Sequence, residues 1–272
     1  MTQPIGIFDS GIGGLSVLKA LRAELPHEDF IYIADSGHAP YGERDDAFVV
    51  ARSLAIAKYL IEQNIKALVV ACNTATAAAI DLLRATYPKL PIIGVEPALK
   101  PAAAISRTKH IGVMATRSTL GSARFIALLT AQSDQARFTL LRCDGLAEAI
   151  EQSSQSSNTT ELIAVCASII GVAGLSNIQK EPKNSIDTLV LGCTHYPFAA
   201  RHIAAQVGES VQLIDTGDAV ARQTRQRLGH RLSTQREISA VEFISTGNPA
   251  ALRAAANAWL GLTSDIKVLF IQ

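Results

Sequence analysis

Apolar residues along this chain fall into two alternating patterns. Short continuous aliphatic and β-branched runs cover residues 4–8, 30–34, 66–71, 90–95, 110–115, 137–141, 188–191, 211–214, 241–244 and 266–271. Runs of that length bounded by polar or glycine-rich turns read as buried strands. Between them, apolar residues return every three or four positions. Leu15, Leu18, Leu21 and Leu25 mark a first helix ending near Pro26, and further helices are predicted over 45–63, 146–151, 161–172, 199–207, 219–228 and 249–259. An alanine-rich helix after Cys72, for which Thr74 is the expected cap, and a helix entered through Thr116–Thr119 complete the set. The polar segment Gln152-Ser-Ser-Gln-Ser-Ser-Asn158 is expected to be a solvated loop. Strands alternating with helices predict an α/β protein with mostly parallel sheets and helices on their faces.

Two of the strands end alike. Lys66-Ala-Leu-Val-Val-Ala-Cys72-Asn-Thr and Thr188-Leu-Val-Leu-Gly-Cys193-Thr-His each run from an apolar segment through one small residue to a cysteine and short polar side chains. A second pair occurs in the same order, since Ile5-Gly-Ile-Phe-Asp-Ser10 parallels Ile111-Gly-Val-Met-Ala-Thr116. The repeat predicts two similar α/β lobes, with a first boundary near Glu96-Pro97 and one cysteine from each lobe facing a cleft that holds the active site. Parallel sheets bind ligands at the carboxyl ends of their strands. That rule gathers Asp9, Ser10, Pro40, Tyr41, Gly42, Cys72, Asn73, Thr74, Thr116, Cys193, Thr194 and His195 as candidate site residues.

Composition narrows the partner. The chain has 272 residues, 48% of them apolar and 18% charged, which suits a compact protein with a sizeable core. Lys plus Arg number 25 against 24 Asp plus Glu, so no net field recruits nucleic acid or an anionic membrane, and a small molecule is the expected partner. The N-terminal segment lacks the basic and apolar regions of a secretory signal, and no apolar run reaches membrane-spanning length, so a cytoplasmic protein is expected. Cys72, Cys143, Cys166 and Cys193 are too few and too scattered for a disulfide framework and are read as free thiols.

A thiolate is both a proton acceptor and a nucleophile. Two thiols on opposite sides of a carbon, one taking a proton and the other giving one, invert a stereocentre without a cofactor. A carbanion formed beside a carboxylate then needs many oriented donors, the kind that Ser10, Asn73, Thr74, Thr116, Thr194 and turn amides supply. Asp9 and His195 are suited to steering the thiol protons. Plainer roles remain open for each of these: a packed thiol for either cysteine, a structural histidine at 195, a helix cap at Asp9. Gly11-Ile-Gly13-Gly14 is a poor phosphate loop, because Ser16 stands where the third glycine of a dinucleotide pattern belongs and no Gly-Lys-Ser/Thr follows. Cys193 and His195 have no further ligands at zinc spacing, so no metal is expected.

Taken together, Asp9-Ser-Gly-Ile-Gly-Gly14, Pro40-Tyr-Gly42, Ala71-Cys-Asn-Thr-Ala75 and Gly192-Cys-Thr-His-Tyr-Pro197 resemble the ordered motifs of the glutamate racemase family, over residues 5–220. These are cofactor-independent isomerases that make D-glutamate for peptidoglycan. The resemblance implies that Cys72 and Cys193 are the acid/base thiols, Cys72 for the D-enantiomer and Cys193 for the L-enantiomer, with Asp9 and His195 assisting. It implies substrate binding by Ser10, Pro40, Tyr41, Gly42, Asn73, Thr74, Thr116 and Thr194, no cofactor or metal, and a homodimer. The family's C-terminal segment returns to the first lobe, which implies lobes of residues 1–97 plus 210–272 and 98–209. A helper glutamate is implied within 143–151, where Glu151 is the better positional match and Glu148 the alternative. Ala115 stands where the family often has glycine. A single-cysteine decarboxylase relative would lack one thiol, and a two-lobed binding protein would need neither.

Overall fold

The computed structural model describes residues 3–156, 158–175, 185–233 and 240–271. The chain forms two compact units, residues 1–95 with 217–272, and 96–216.

The first unit begins β1 (Ile5–Asp9), α1 (Leu15–Glu24), β2 (Phe30–Ala34), α2 (Asp46–Glu62), β3 (Ala67–Val70), α3 (Asn73–Thr86) and β4 (Ile92–Gly94). Every residue of β1, β2 and β3 is buried, as expected of parallel strands covered by helices on both faces. One face packs Phe8, Ile33, Leu68 and Val70 against Val49, Ile56, Leu60, Ala75, Ala79 and Leu83 of α2 and α3.

The second unit follows with α4 (Leu99–Ile105), β5 (His110–Ala115), α5 (Arg117–Gly121), α6 (Ala123–Thr130), β6 (Arg137–Arg142), α7 (Leu146–Ser156), α8 (Thr160–Val172), β7 (Thr188–Leu191), α9 (Ala200–Val207) and β8 (Gln212–Ile214). Its core joins Leu99 and Ala102 of α4 to Ile111, Val113, Phe125 and Val190. The chain then returns to the first unit with α10 (Gly217–Leu228), β9 (Val241–Ser245), α11 (Pro249–Leu260) and β10 (Ile266–Val268).

All strand pairs are parallel, in the orders β10-β9-β2-β1-β3-β4 and β6-β5-β7-β8. The segment β2-β1-β3-β4 has the same connectivity as β6-β5-β7-β8, so the internal repeat of the sequence is a repeat of topology. Backbone bonds make the match residue by residue. Ala71 N donates to Phe8 O at 2.8 Å and Gly192 N to Met114 O at 2.7 Å, which sets the two cysteines at equivalent points of their sheets.

Several expectations are corrected. The second crossing falls after residue 216 rather than at 210, because β8 pairs with β7. The segment expected as a polar loop is helical through Ser156, with Ser157 outside the described residues. Its hydroxyls fold back onto helix carbonyls, Ser153 to Ile150 at 2.9 Å and Ser154 to Glu151 at 2.7 Å, while Leu146, Ala149 and Ile150 bury the other face. Cys72, not Thr74, caps α3. The helix α4 has no counterpart among the sequence expectations; it follows the boundary placed near Glu96-Pro97, and its Pro101 falls in the first turn, where proline is tolerated.

Candidate active site

In the first unit the site residues gather at the carboxyl end of the sheet. Cys72 leaves β3 in extended conformation, and its sulfur accepts from Ala75 N at 3.4 Å, so the thiol itself closes the first turn of α3. A helix N-terminus favours negative charge on a group in that position. The thiol is 5% exposed and lies 3.8 Å from Ser10 Oγ, which in turn lies 3.5 Å from Asp9 Oδ1. Asp9 Oδ2 accepts from Gly14 N at 2.7 Å and so ties the turn before α1, but α1 itself has no side-chain cap, so the plain capping role open in the sequence is not the one Asp9 plays.

Asn73 and Thr74 open α3 beside Cys72, both buried, and the Asn73 side-chain nitrogen has no hydrogen-bond partner. A buried donor without a partner costs about 1–3 kcal/mol, which a bound ligand would recover. Pro40, Tyr41 and Gly42 lie on the loop after β2. Pro40 and Gly42 are half-buried, whereas the Tyr41 ring is buried and its hydroxyl donates to Asp35. Burial and the Asp35 charge push the Tyr41 phenol far up, so it stays a hydrogen-bond donor.

In the second unit Cys193 follows β7 and Gly192. A Cβ on Gly192 would come within 2.7 Å of Met114 O, so only glycine lets the strand end approach β5 so closely. The Cys193 sulfur lies 3.7 Å from His195 Nδ1, and His195 Nε2 lies 2.7 Å from Glu151 Oε1 on α7. An ionised carboxylate only accepts, so Nε2 carries a hydrogen and Nδ1 of a neutral ring is an acceptor that faces the thiol. Glu148, the alternative, bonds Gln152 on the exposed side of α7. Thr194 and His195 are buried. Thr116 caps α5, accepting from Thr119 N at 3.2 Å.

The remaining thiols differ from these two. Burial pushes Cys143 up, and it pushes Cys166 up to about 11. Cys143 Sγ donates to Leu141 O, and its carbonyl accepts from Tyr196, a fully buried residue of the Cys193 loop. Among the described residues no three His, Cys, Asp or Glu side chains converge as metal ligands would, and no helix is long and apolar enough to cross a membrane.

Sequence reasoning missed Asp35, Arg52 and Thr246. Asp35 ends β2 as Asp9 ends β1, and it is fully buried among Tyr41, Arg52, Thr246 and His38. The signal was Arg52 itself. It lies on the buried stripe of α2 with Val49, Ser53, Ile56 and Leu60, where an arginine needs a buried acid.

Two helix-flanked parallel sheets of repeated topology, each delivering a cysteine at the matching strand end, define the class of α/β fold. The chain matches the Asp/Glu/Hydantoin racemase family over residues 15–224 and belongs to that family of isomerases. Within it, the chain belongs with the glutamate racemases. It is 45% identical to the glutamate racemase of Ectopseudomonas mendocina over 267 residues, covering 97% of each chain. A glutamate racemase of Bacillus anthracis superposes with a TM-score of 0.86 at 30% identity, over 99% of this chain and 98% of that one. The Escherichia coli glutamate racemase, solved with L-glutamate and the activator UDP-MurNAc-ala, gives 0.85 at 29% identity over 99% of both.

Proposed function

We propose that this protein interconverts L- and D-glutamate without a cofactor, with Cys193 and Cys72 as the two bases. The observation that carries the reading is the equivalence of the two cysteines. Each follows the third strand of the same four-strand topology, and each has proton-handling side chains behind it. In the L to D direction the Cys193 thiolate takes the α-proton, and the Cys72 thiol delivers its own to the opposite face. The reverse reaction exchanges the roles.

His195, held by Glu151, shuttles between accepting the Cys193 S–H and, once protonated, stabilising the thiolate. Ser10 hydrogen-bonds Cys72, and as it accepts a proton from the thiol its own hydroxyl proton passes to the Asp9 carboxylate. Amides and side chains at Pro40–Gly42, Asn73, Thr74, Thr116 and Thr194 hold the substrate and the carbanion. On this reading the enzyme works in the cytoplasm, as a homodimer, and supplies D-glutamate for peptidoglycan.

Incubation with L-glutamate in D2O tests it. The α-proton resonance should wash out while the optical rotation decays to zero, with no added cofactor. Retention of the α-proton at full protein occupancy by glutamate would leave only a binding protein and sink the proposal.

A further inference from the structure

Asp35 is a buried carboxylate that the two-thiol chemistry does not use, and it collects four segments of the first unit. Its Oδ1 accepts from Thr246 Oγ1 at 2.7 Å and Arg52 Nη2 at 2.9 Å, and it faces His38 Nδ1 at 3.0 Å. Its Oδ2 accepts from the Tyr41 hydroxyl at 2.5 Å and Arg52 Nε at 3.0 Å. Burial alone would raise the Asp35 carboxyl, but hydrogen bonds from Arg52, Tyr41 and Thr246 outweigh it and hold the group below its ordinary range. The remaining Arg52 nitrogen, Nη1, donates to Ile271 O at 2.6 Å, which ties in the segment beyond β10. Thr246 Oγ1 also accepts from Gly37 N at 3.2 Å, and a Cβ on Gly37 would lie 2.6 Å from Thr246 O. The loop from β2 is therefore seated directly on the end of β9.

We propose that Asp35, Arg52 and Thr246 are positioning residues that set the Pro40–Gly42 loop for substrate. The inference rests on the racemase reading above. Tyr41 is 1% exposed and its phenol is committed to Asp35, so what Tyr41 and Gly42 present to a ligand is main chain. Main-chain donors cannot turn to compensate for a displaced loop, and small displacements are costly where donors must meet a ligand. The short helical turn at Tyr41–Glu43 packs on α3, whose first residue follows Cys72, so the loop and the thiol share one support.

The test is Thr246→Val, which keeps shape and removes only the hydroxyl. Gly37 is exposed, so its freed N–H turns to water and folding is preserved. KM for both enantiomers should rise about tenfold, the low end of what a hydrogen bond to a charged group contributes, with kcat within about twofold. Arg52→Lys keeps the charge but loses the fork, and should raise KM further. Unchanged KM in folded Thr246→Val, or a fall in kcat at constant KM, as a smaller folded fraction gives, would overturn the positioning role. Wild-type protein in the same assay separates the two readings. If wild type racemises glutamate and Thr246→Val keeps its KM, only the positioning role fails. If wild type does not racemise, both fail.

Discussion

Glu151→Gln isolates the contribution of the carboxylate behind His195. The substitution keeps the length of the side chain and its place on α7, and removes one negative charge 2.7 Å from Nε2. A hydrogen bond to a charged group contributes roughly 1.5–3 kcal/mol and a neutral one roughly 0.5–1.5, so the change forfeits about 1–1.5 kcal/mol of support for the protonated ring. At 1.36 kcal/mol per factor of ten, kcat/KM should fall about tenfold. The glutamine amide can also present its NH2 to Nε2. That would move the ring hydrogen to Nδ1 and remove the acceptor the Cys193 thiol needs, so tenfold is the lower bound.

The assay is polarimetric racemisation from each enantiomer, run beside Glu148→Gln. The two enantiomers have equal free energy in water, so kcat/KM must fall by the same factor in both directions. A difference between directions signals an impure preparation, not a mechanism. Glu148 faces outward and accepts from Gln152 Nε2 one turn along α7, so Glu148→Gln should stay near wild type. Wild-type kcat/KM in Glu151→Gln, or a larger loss in Glu148→Gln, would refute the relay from Glu151 through His195 to Cys193.

Cys72→Ser and Cys193→Ser should each lose racemisation by several orders of magnitude, since a hydroxyl is not a competent base at neutral pH, whereas Cys143→Ser and Cys166→Ser should keep kcat within a few-fold; measured rates in the reverse order would overturn the assignment. Asp35 has a depressed folded-state pKa, so its ionisation adds stability that is fully present above the ordinary carboxylate value of about 3.9 and is lost as pH falls through the folded value. The melting-temperature gap between wild type and Asp35→Asn should therefore stay constant from pH 6 to about pH 4 and narrow only on further acidification, and a gap that widens below that point would contradict the buried pairing with Arg52.

How much of this was legible in the sequence depended on whether the signal was local. Strand positions and both cysteines were legible because parallel strands buried on both faces leave unbroken apolar runs, as at Ala67–Val70 and Thr188–Leu191. The repeat was legible because β1 and β5 do the same job in their sheets. The groups behind the thiols were less so, since they reach each cysteine by different routes. Ser10 and Asp9 come to Cys72 from the neighbouring strand β1, while Cys193 finds His195 on its own loop, with Glu151 behind it on a helix 44 positions before the histidine. The two halves repeat their backbones and not the side chains that flank their cysteines.

The same comparison explains Asp35. Asp35 N donates to Asp9 O as Cys143 N donates to Ala115 O, so Asp35 and Cys143 occupy equivalent positions. In the second unit that position holds a thiol whose backbone carbonyl braces Tyr196 of the Cys193 loop. In the first it holds a carboxylate that braces Tyr41 of the loop beside Cys72. Each half thus fixes a buried tyrosine hydroxyl from the end of the strand that flanks its central one. The acid is needed only in the first unit, where the bracing must also bind Arg52 and, through it, the returning C-terminal segment. A motif search cannot find such a group, because its partners Arg52 and Thr246, and Ile271 behind Arg52, are brought together only by the fold.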